Sequence, residues 1–110
     1  MKNIISRISI ENHGEYITIN TTNGKVFKII DNGQQCCEFR YFTTDDNLTS
    51  FFGSEFMGVE QTSFTSSSED YDEHDISFLV IHTSLGVVSF EAHNVHNGYY
   101  AGFQIDVIEN

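Results

Sequence analysis

The sequence has no proline, no tryptophan and only two cysteines, and it has no lysine or arginine after residue 40. The first two absences are unusual but exclude no class of protein. No apolar run approaches the roughly 18–20 residues of a membrane span, which excludes a transmembrane helix. The N-terminal segment alternates apolar and polar residues and lacks the apolar core of a signal peptide. We therefore expect a cytoplasmic protein.

What is present is enough apolar material for one core. Of the 110 residues, 39% are hydrophobic and 14% are aromatic, which excludes a wholly disordered chain. A chain of this length buries about two-thirds of its unfolded surface. We expect a single domain over residues 1–110.

The missing cations produce a strongly divided charge pattern. The first 40 residues hold all five basic side chains and four acidic ones, whereas the remaining 70 hold twelve acidic side chains. A field of this sign repels nucleic acid and acidic membranes, because both are bound through lysine and arginine. It attracts cations or a basic protein surface. Solubility alone is the other reading of the same pattern.

The residue pattern predicts a β-rich α+β domain, mostly antiparallel, of about eight short strands. Asn23-Gly24 and Asn32-Gly33 mark hairpin turns, since these residues tolerate positive φ. Near the N-terminus, Ile4, Ile8 and Ile10 share one face of a half-buried strand. The predicted strands cover 4–10, 16–21, 25–31, 35–42, 55–65, 76–83, 87–93 and 103–108. The strand over 55–65 is expected to be interrupted at Gly58.

Three connections carry the remaining predictions. Residues 45–52 predict one short helix, capped by Thr44, Asp45 or Asp46, with Leu48, Phe51 and Phe52 as its apolar stripe. Residues 66–75 are acidic and lack a core pattern, which predicts a solvated loop. Residues 93–102 predict a second loop, after the last central strand.

Two segments contain distinctive short motifs in a fixed order. The first is FKIIDNGQQCCEFRYF, with a vicinal cysteine pair followed by glutamate, and the second is SLGVVSFEAHNVHNGYYAGF, with an NGYY turn. Together they resemble a small family of uncharacterised proteins from phages and bacterial mobile elements. The resemblance covers residues 25–107. It implies a phage or mobile-element context, and it implies no activity.

The acidic loop gives the leading functional hypothesis, a non-enzymatic protein that binds a basic partner. Spaced carboxylates in this loop can imitate phosphates in the basic groove of a host defence or nucleic-acid-handling complex. Oxygen ligands for Ca²⁺ or Mg²⁺ and a plain solvated face are the alternatives, although the EF-hand pattern is absent. The predicted partner-binding residues are Glu69, Asp70, Asp72, Glu73 and Asp75.

The second loop and the cysteines give further candidate sites. Loops on rigid sheets often carry recognition, and the predicted recognition loop contains His93, Asn94, His96, Asn97, Tyr99 and Tyr100. Without a secretion signal, free thiols are expected at Cys36 and Cys37, one of them buried as a small hydrophobe. A vicinal disulfide is an alternative, and so is a zinc site formed by both cysteines with His93 and His96, although adjacent cysteines depart from the usual zinc spacing.

The sequence also lacks the common enzyme motifs. It has no glycine-rich phosphate loop, no G-x-S-x-G and no H-E-x-x-H. A small hydrolase or nuclease with a histidine and a carboxylate stays open as a third hypothesis. A homodimer is compatible with an exposed sheet edge, whereas the like charge of the last 70 residues favours a monomer.

Overall fold

The structure, a computed structural model, describes residues 2–32, 39–69, 72–96 and 103–109, and the side chains of 62–69, 72–74 and 96 lie outside the description. The described residues form eight strands, and the pairings between these strands are antiparallel. This confirms the predicted fold class. The strands are β1 (Ile5–Glu11), β2 (Tyr16–Thr21), β3 (Val26–Asp31), β4 (Phe39–Thr43), β5 (Phe56–Glu69), β6 (Asp72–Thr83), β7 (Gly86–His96) and β8 (Ile105–Glu109).

The strands are divided between two four-stranded sheets. Sheet 1 has the order β1-β2-β3-β8, and sheet 2 has the order β4-β7-β6-β5. One buried cluster contains side chains from both sheets, so the sheets enclose a common core. Phe27 of sheet 1 and Phe56 of sheet 2 meet there with their ring centroids 4.7 Å apart. The buried hydrophobic members are Ile5, Ile8, Ile17, Ile19, Phe27, Ile29, Phe42, Leu79, Ile81, Val88, Phe90 and Ala92.

The β2–β3 hairpin confirms the turn predicted at Asn23-Gly24, with a different loop geometry. Thr21 N donates to Lys25 O at 3.0 Å, so three residues form the loop. Within this loop, residues 22–24, only Gly24 has positive φ, at 86°. A three-residue loop with glycine in the left-handed region is the common alternative to the two-residue turn.

At the N-terminus the predicted buried face is partly wrong. The pairing of β1 with β2 shifts register between Ile5 and Arg7, which reverses the faces at that point. Ile5 and Ile8 are therefore both buried, and Ile4 forms an isolated bridge to Glu55 instead. An irregularity of this kind has no signature in the apolar pattern.

Both predicted loops are wrong over the residues that the structure describes. Residues 66–69 lie in β5 and 72–75 lie in β6, so the acidic segment belongs to a long hairpin. Residues 93–96 lie in β7. The predicted strands were too short here because serine, glutamate and asparagine are depleted in strands, and pairing with neighbours overrides that preference.

The predicted helix is reduced to a single 3₁₀ turn, Leu48–Phe51. Its N-cap is Asn47, whose side chain accepts from Thr49 N at 3.2 Å. Of the caps that the sequence suggested, Asp46 instead accepts from Ser89 N at 2.7 Å and extends the hydrogen bonding of β7 beyond the end of β4.

A tight turn, Asn12–Gly14, connects β1 to β2 and covers the edge of sheet 2. All three of its residues have positive φ, with Gly14 at 101°. A Cβ at Gly14 would lie 3.0 Å from both Phe42 O and Tyr41 Cβ. The close approach shields the edge of β4, and edge strands are the usual sites of unwanted pairing.

Candidate functional site

Polar side chains face the interior at one end of sheet 2. Arg40 of β4 is opposite Asn94 of β7, which is opposite Asp75 of β6. Asp75 and Asn94 are almost completely buried, and the next inward residue of β6 is the buried Ser77. Because side chains alternate along a strand, the partly buried Ile76 and Phe78 lie on the outer face at this end. Buried groups of this kind require hydrogen-bond partners.

Arg40 joins the two sheets through an ion pair. Its Nη1 donates to both carboxylate oxygens of Asp31 at 2.9 Å, and the two side chains are 6% and 5% exposed. Gln104 N donates to Asp31 Oδ1 at 3.0 Å. The charge of Arg40, the only cation after residue 28, is therefore neutralised inside the protein.

A small cleft lies beside this ion pair. Its volume is about 130 Å³, and it is lined by Glu15, Asp31, Arg40, Tyr41 and Phe42. Small-molecule sites occupy roughly 300–1,000 Å³, and a water molecule occupies about 30 Å³ of liquid. The cleft therefore has room for a few water molecules.

An aromatic and polar cluster lies on the opposite face of the same strands. The rings of Tyr41 and His93 are stacked with centroids 4.5 Å apart and an interplanar angle of 7°. His93 Nε2 lies 2.8 Å from Thr43 Oγ1 and 3.4 Å from Glu91 Oε2. Phe39 contacts Tyr41 at 5.1 Å between centroids and is 61% exposed. We call Phe39, Tyr41, His93, Thr43 and Glu91 the outer cluster.

The two sheets carry different surface charges. In sheet 1, Lys25 pairs with Glu109 at 2.9 Å, and Lys28 lies 4.1 Å from the ring centroid of Tyr16. Sheet 2 contains no cation except the buried Arg40. Glu60 on β5 and Glu91 on β7 are 61% and 39% exposed at their side chains. The acidic surplus after residue 40 thus lies mostly on sheet 2, although Asp106 and Glu109 of β8 belong to sheet 1.

The predicted acidic surface is only partly described. Asp75 is buried, so the prediction that it lies on a solvated surface is wrong. Glu69, Asp72 and Glu73 lie on β5 and β6 with their side chains outside the description, and Asp70 falls outside the described residues. Glu69 is paired in register with Asp72, and Ser68 with Glu73, which brings these acidic positions together at the hairpin end.

The predicted recognition loop and zinc set are likewise divided. His93 and Asn94 are buried strand residues, and His96 ends β7 with its side chain outside the description. Asn97, Tyr99, Tyr100, Cys36 and Cys37 lie outside the described residues. In the part of the chain that the structure describes, no three histidine, cysteine or acidic side chains are placed to hold a metal. The zinc site stays a prediction.

Sequence reasoning missed the ion pair and the outer cluster. The segment FRYF contained a usable signal, because Arg40 has the same strand parity as the core residue Phe42 and must therefore face inward. A buried arginine requires a carboxylate partner. The identity of that partner depends on the packing of the two sheets.

The fold and site define a β domain of two antiparallel sheets with a polar interior end and an acidic second sheet. Residues 2–107 match the family described as a domain of unknown function (DUF7448), and the chain belongs to this family. Neither a curated protein nor a solved structure matches the chain. Among the described helices, none is long and apolar enough to cross a membrane.

Proposed function

We propose that the chain is a non-enzymatic accessory protein of a phage or mobile element that binds a basic partner protein through the acidic surface of sheet 2. The observation that carries this proposal is the separation of charge between the sheets. Exposed carboxylates such as Glu60 have no lysine or arginine beside them on sheet 2, since Arg40 is paired internally with Asp31 and Glu60 contacts the imidazole of His82 at 3.7 Å. Such a surface steers association with a cationic protein.

The partner class follows from the same electrostatics. A protein that handles nucleic acid presents a groove of lysine and arginine that normally neutralises phosphates. A carboxylate-bearing sheet competes for that groove, which makes a host defence or nucleic-acid-handling complex in the cytoplasm the proposed target. The chain itself binds neither DNA nor membranes in this proposal, since its net charge is −11.

The experiment is competition between the protein and DNA. A panel of purified basic nucleic-acid-binding proteins, including restriction nucleases, is loaded with labelled duplex DNA, and DNA release is measured as the protein is titrated. We expect release from at least one member at 50 mM salt, and the affinity of the protein for that member, measured without DNA, should fall about tenfold at 200 mM salt. The double variant Glu60→Lys and Glu91→Lys is expected to weaken release about tenfold.

The matched control reverses a similarly exposed carboxylate on the other sheet. Glu109 of β8 is 52% exposed at its side chain, close to the 61% of Glu60. Glu109→Lys gives the same charge change as Glu60→Lys and should alter release less than twofold. Salt-insensitive affinity for the partner, equal effects of Glu60→Lys and Glu109→Lys, or no release from any panel member contradicts the proposal.

A further inference from the structure

The outer face of sheet 2 departs from the usual polarity of a solvated sheet. One face of an antiparallel sheet normally packs on the core while the other is polar. Here Phe39 is 61% exposed and Val87 is 50% exposed. On sheet 1, the opposed residues Ser9 and Thr18 are hydrogen-bonded to each other at 2.9 Å, and the exposed Ile108 lies opposite Lys28. Sheet 2 therefore presents apolar and acidic groups without a cation.

Aromatic rings and a carboxylate are aligned on this face. Phe39 and Tyr41 are two residues apart on β4, so their side chains project from the same side. The register places Phe39 opposite Val95 and Thr43 opposite Glu91. Glu91 precedes Val95 by four residues on β7. At about 3.3 Å per residue the aromatic end and the acidic end are separated by about 13 Å.

We infer that the outer cluster is a docking site for arginine side chains of the basic partner. The inference rests on the proposed function and names the side chain that is recognised. A guanidinium stacks on an aromatic face and is more weakly hydrated than an ammonium, so arginine gains more than lysine from the exposed ring of Phe39. Glu91 pairs with a second cation at the acidic end. A segment that lies extended along β4 meets both ends with residues four positions apart.

Lysine-rich and arginine-rich probes of equal charge separate stacking from plain electrostatics. The full chain is titrated into fluorescein-labelled nona-arginine and nona-lysine, and the dissociation constants are measured by fluorescence anisotropy at low salt. We expect about fivefold tighter binding of nona-arginine, consistent with one exposed cation–π contact. Phe39→Ala should remove this preference, and Phe39→Tyr should preserve it. Glu91→Gln should weaken both peptides by a similar factor, about twofold to threefold.

Val107→Ala is the matched control. Val107 is an apolar residue of sheet 1 that is 46% exposed, so its loss should leave the arginine preference unchanged. Circular dichroism checks that each variant keeps its fold, which is expected because Phe39 is mostly solvated. Equal affinity for the two peptides, or a preference that survives Phe39→Ala, overturns the inference and leaves the proposed function standing. Failure to bind either peptide overturns both.

Discussion

Arg40 and Asp31 form two hydrogen bonds of 2.9 Å that connect the start of β4 in sheet 2 to the end of β3 in sheet 1. Both side chains are more than nine-tenths buried. Charges in such a position cost several kcal/mol each in lost hydration, and their mutual attraction offsets that cost only while both partners are present. The pair therefore fixes the relative position of the sheets at their polar end.

Removing one partner should be strongly destabilising. Arg40→Met leaves the Asp31 carboxylate buried without this ion pair, and we expect a loss of about 3–5 kcal/mol in the free energy of unfolding. Urea denaturation monitored by circular dichroism measures this loss. The double variant Asp31→Leu and Arg40→Met should be more stable than Arg40→Met alone, since it removes the carboxylate that the single variant leaves without its ion pair. A double variant less stable than either single variant would contradict this account of the pair.

Gly14 should be sensitive to any side chain. At φ 101° an alanine is strained, and its Cβ would also lie 3.0 Å from backbone and side-chain atoms of β4. We expect Gly14→Ala to cost about 2–3 kcal/mol by thermal or urea unfolding. Gly53 is a control with a similar φ of 91°, and a Cβ at this position would have no atom within 4 Å. Gly53→Ala should therefore cost only the backbone strain, about 1 kcal/mol. Equal losses at the two sites would show that the contact with β4 is unimportant.

His93 should contribute more to stability than its exposed counterpart. It is buried, stacked on Tyr41 and hydrogen-bonded with Thr43. We expect His93→Ala to cost about 1–3 kcal/mol by urea denaturation, through lost packing and an unsatisfied neighbour. His82→Ala provides the comparison, because His82 is 44% exposed and contacts Glu60 at 3.7 Å on the surface. A change within about 0.5 kcal/mol is expected. A smaller effect at position 93 than at 82 would be inconsistent with the packing described.

Glu11 provides a pH-dependent test on sheet 1. The hydroxyl of Ser9 hydrogen-bonds to its carboxylate and lowers the pKa of Glu11 below the usual 4.5, with weaker contributions from Thr18 and Arg7. A carboxyl with a lowered pKa in the folded state stabilises the protein above pH 4.5, and this stabilisation is lost as the pH falls through the folded pKa. Ser9→Ala should therefore raise the pKa of Glu11, measured by NMR titration of the side chain.

Ser6→Ala is the control for that titration. The Ser6 hydroxyl donates to Asn20 O and does not touch the carboxylate of Glu11. Removal of the Ser6 hydroxyl should leave the pKa of Glu11 unchanged. If Ser9→Ala left the pKa of Glu11 unchanged, groups other than Ser9 would be responsible for lowering that pKa.

The sequence was sufficient to predict the strands whose apolar residues alternate regularly. Tyr16–Thr21 was predicted with its observed limits, because Ile17 and Ile19 repeat with period two before a turn signal. The start of β6 could not be found this way, since it turns Asp75 inward. An inward carboxylate depends on partners from other strands, and periodicity contains no information about them.

The candidate site was less accessible to sequence reasoning than the fold. The charge imbalance was visible in the sequence, but its division between two sheets required the pairing of strands. Arg40 and His93 contact partners that are 9 and 50 residues away in the sequence, Asp31 and Thr43 respectively. Such pairs are brought together by the packing of strands and have no local spacing rule.

The position of β8 has a consequence for the order of folding. β3 lies between β2 and β8 in sheet 1, and β8 is distant from it in sequence, since Asp31 of β3 is opposite Ile105 of β8. During synthesis, β3 has one unpaired edge until residues 105–109 emerge, by which time all of sheet 2 is available. Sheet 1 is therefore completed last, and a topology dominated by such distant pairings folds on the slow, millisecond-to-second scale of small β proteins.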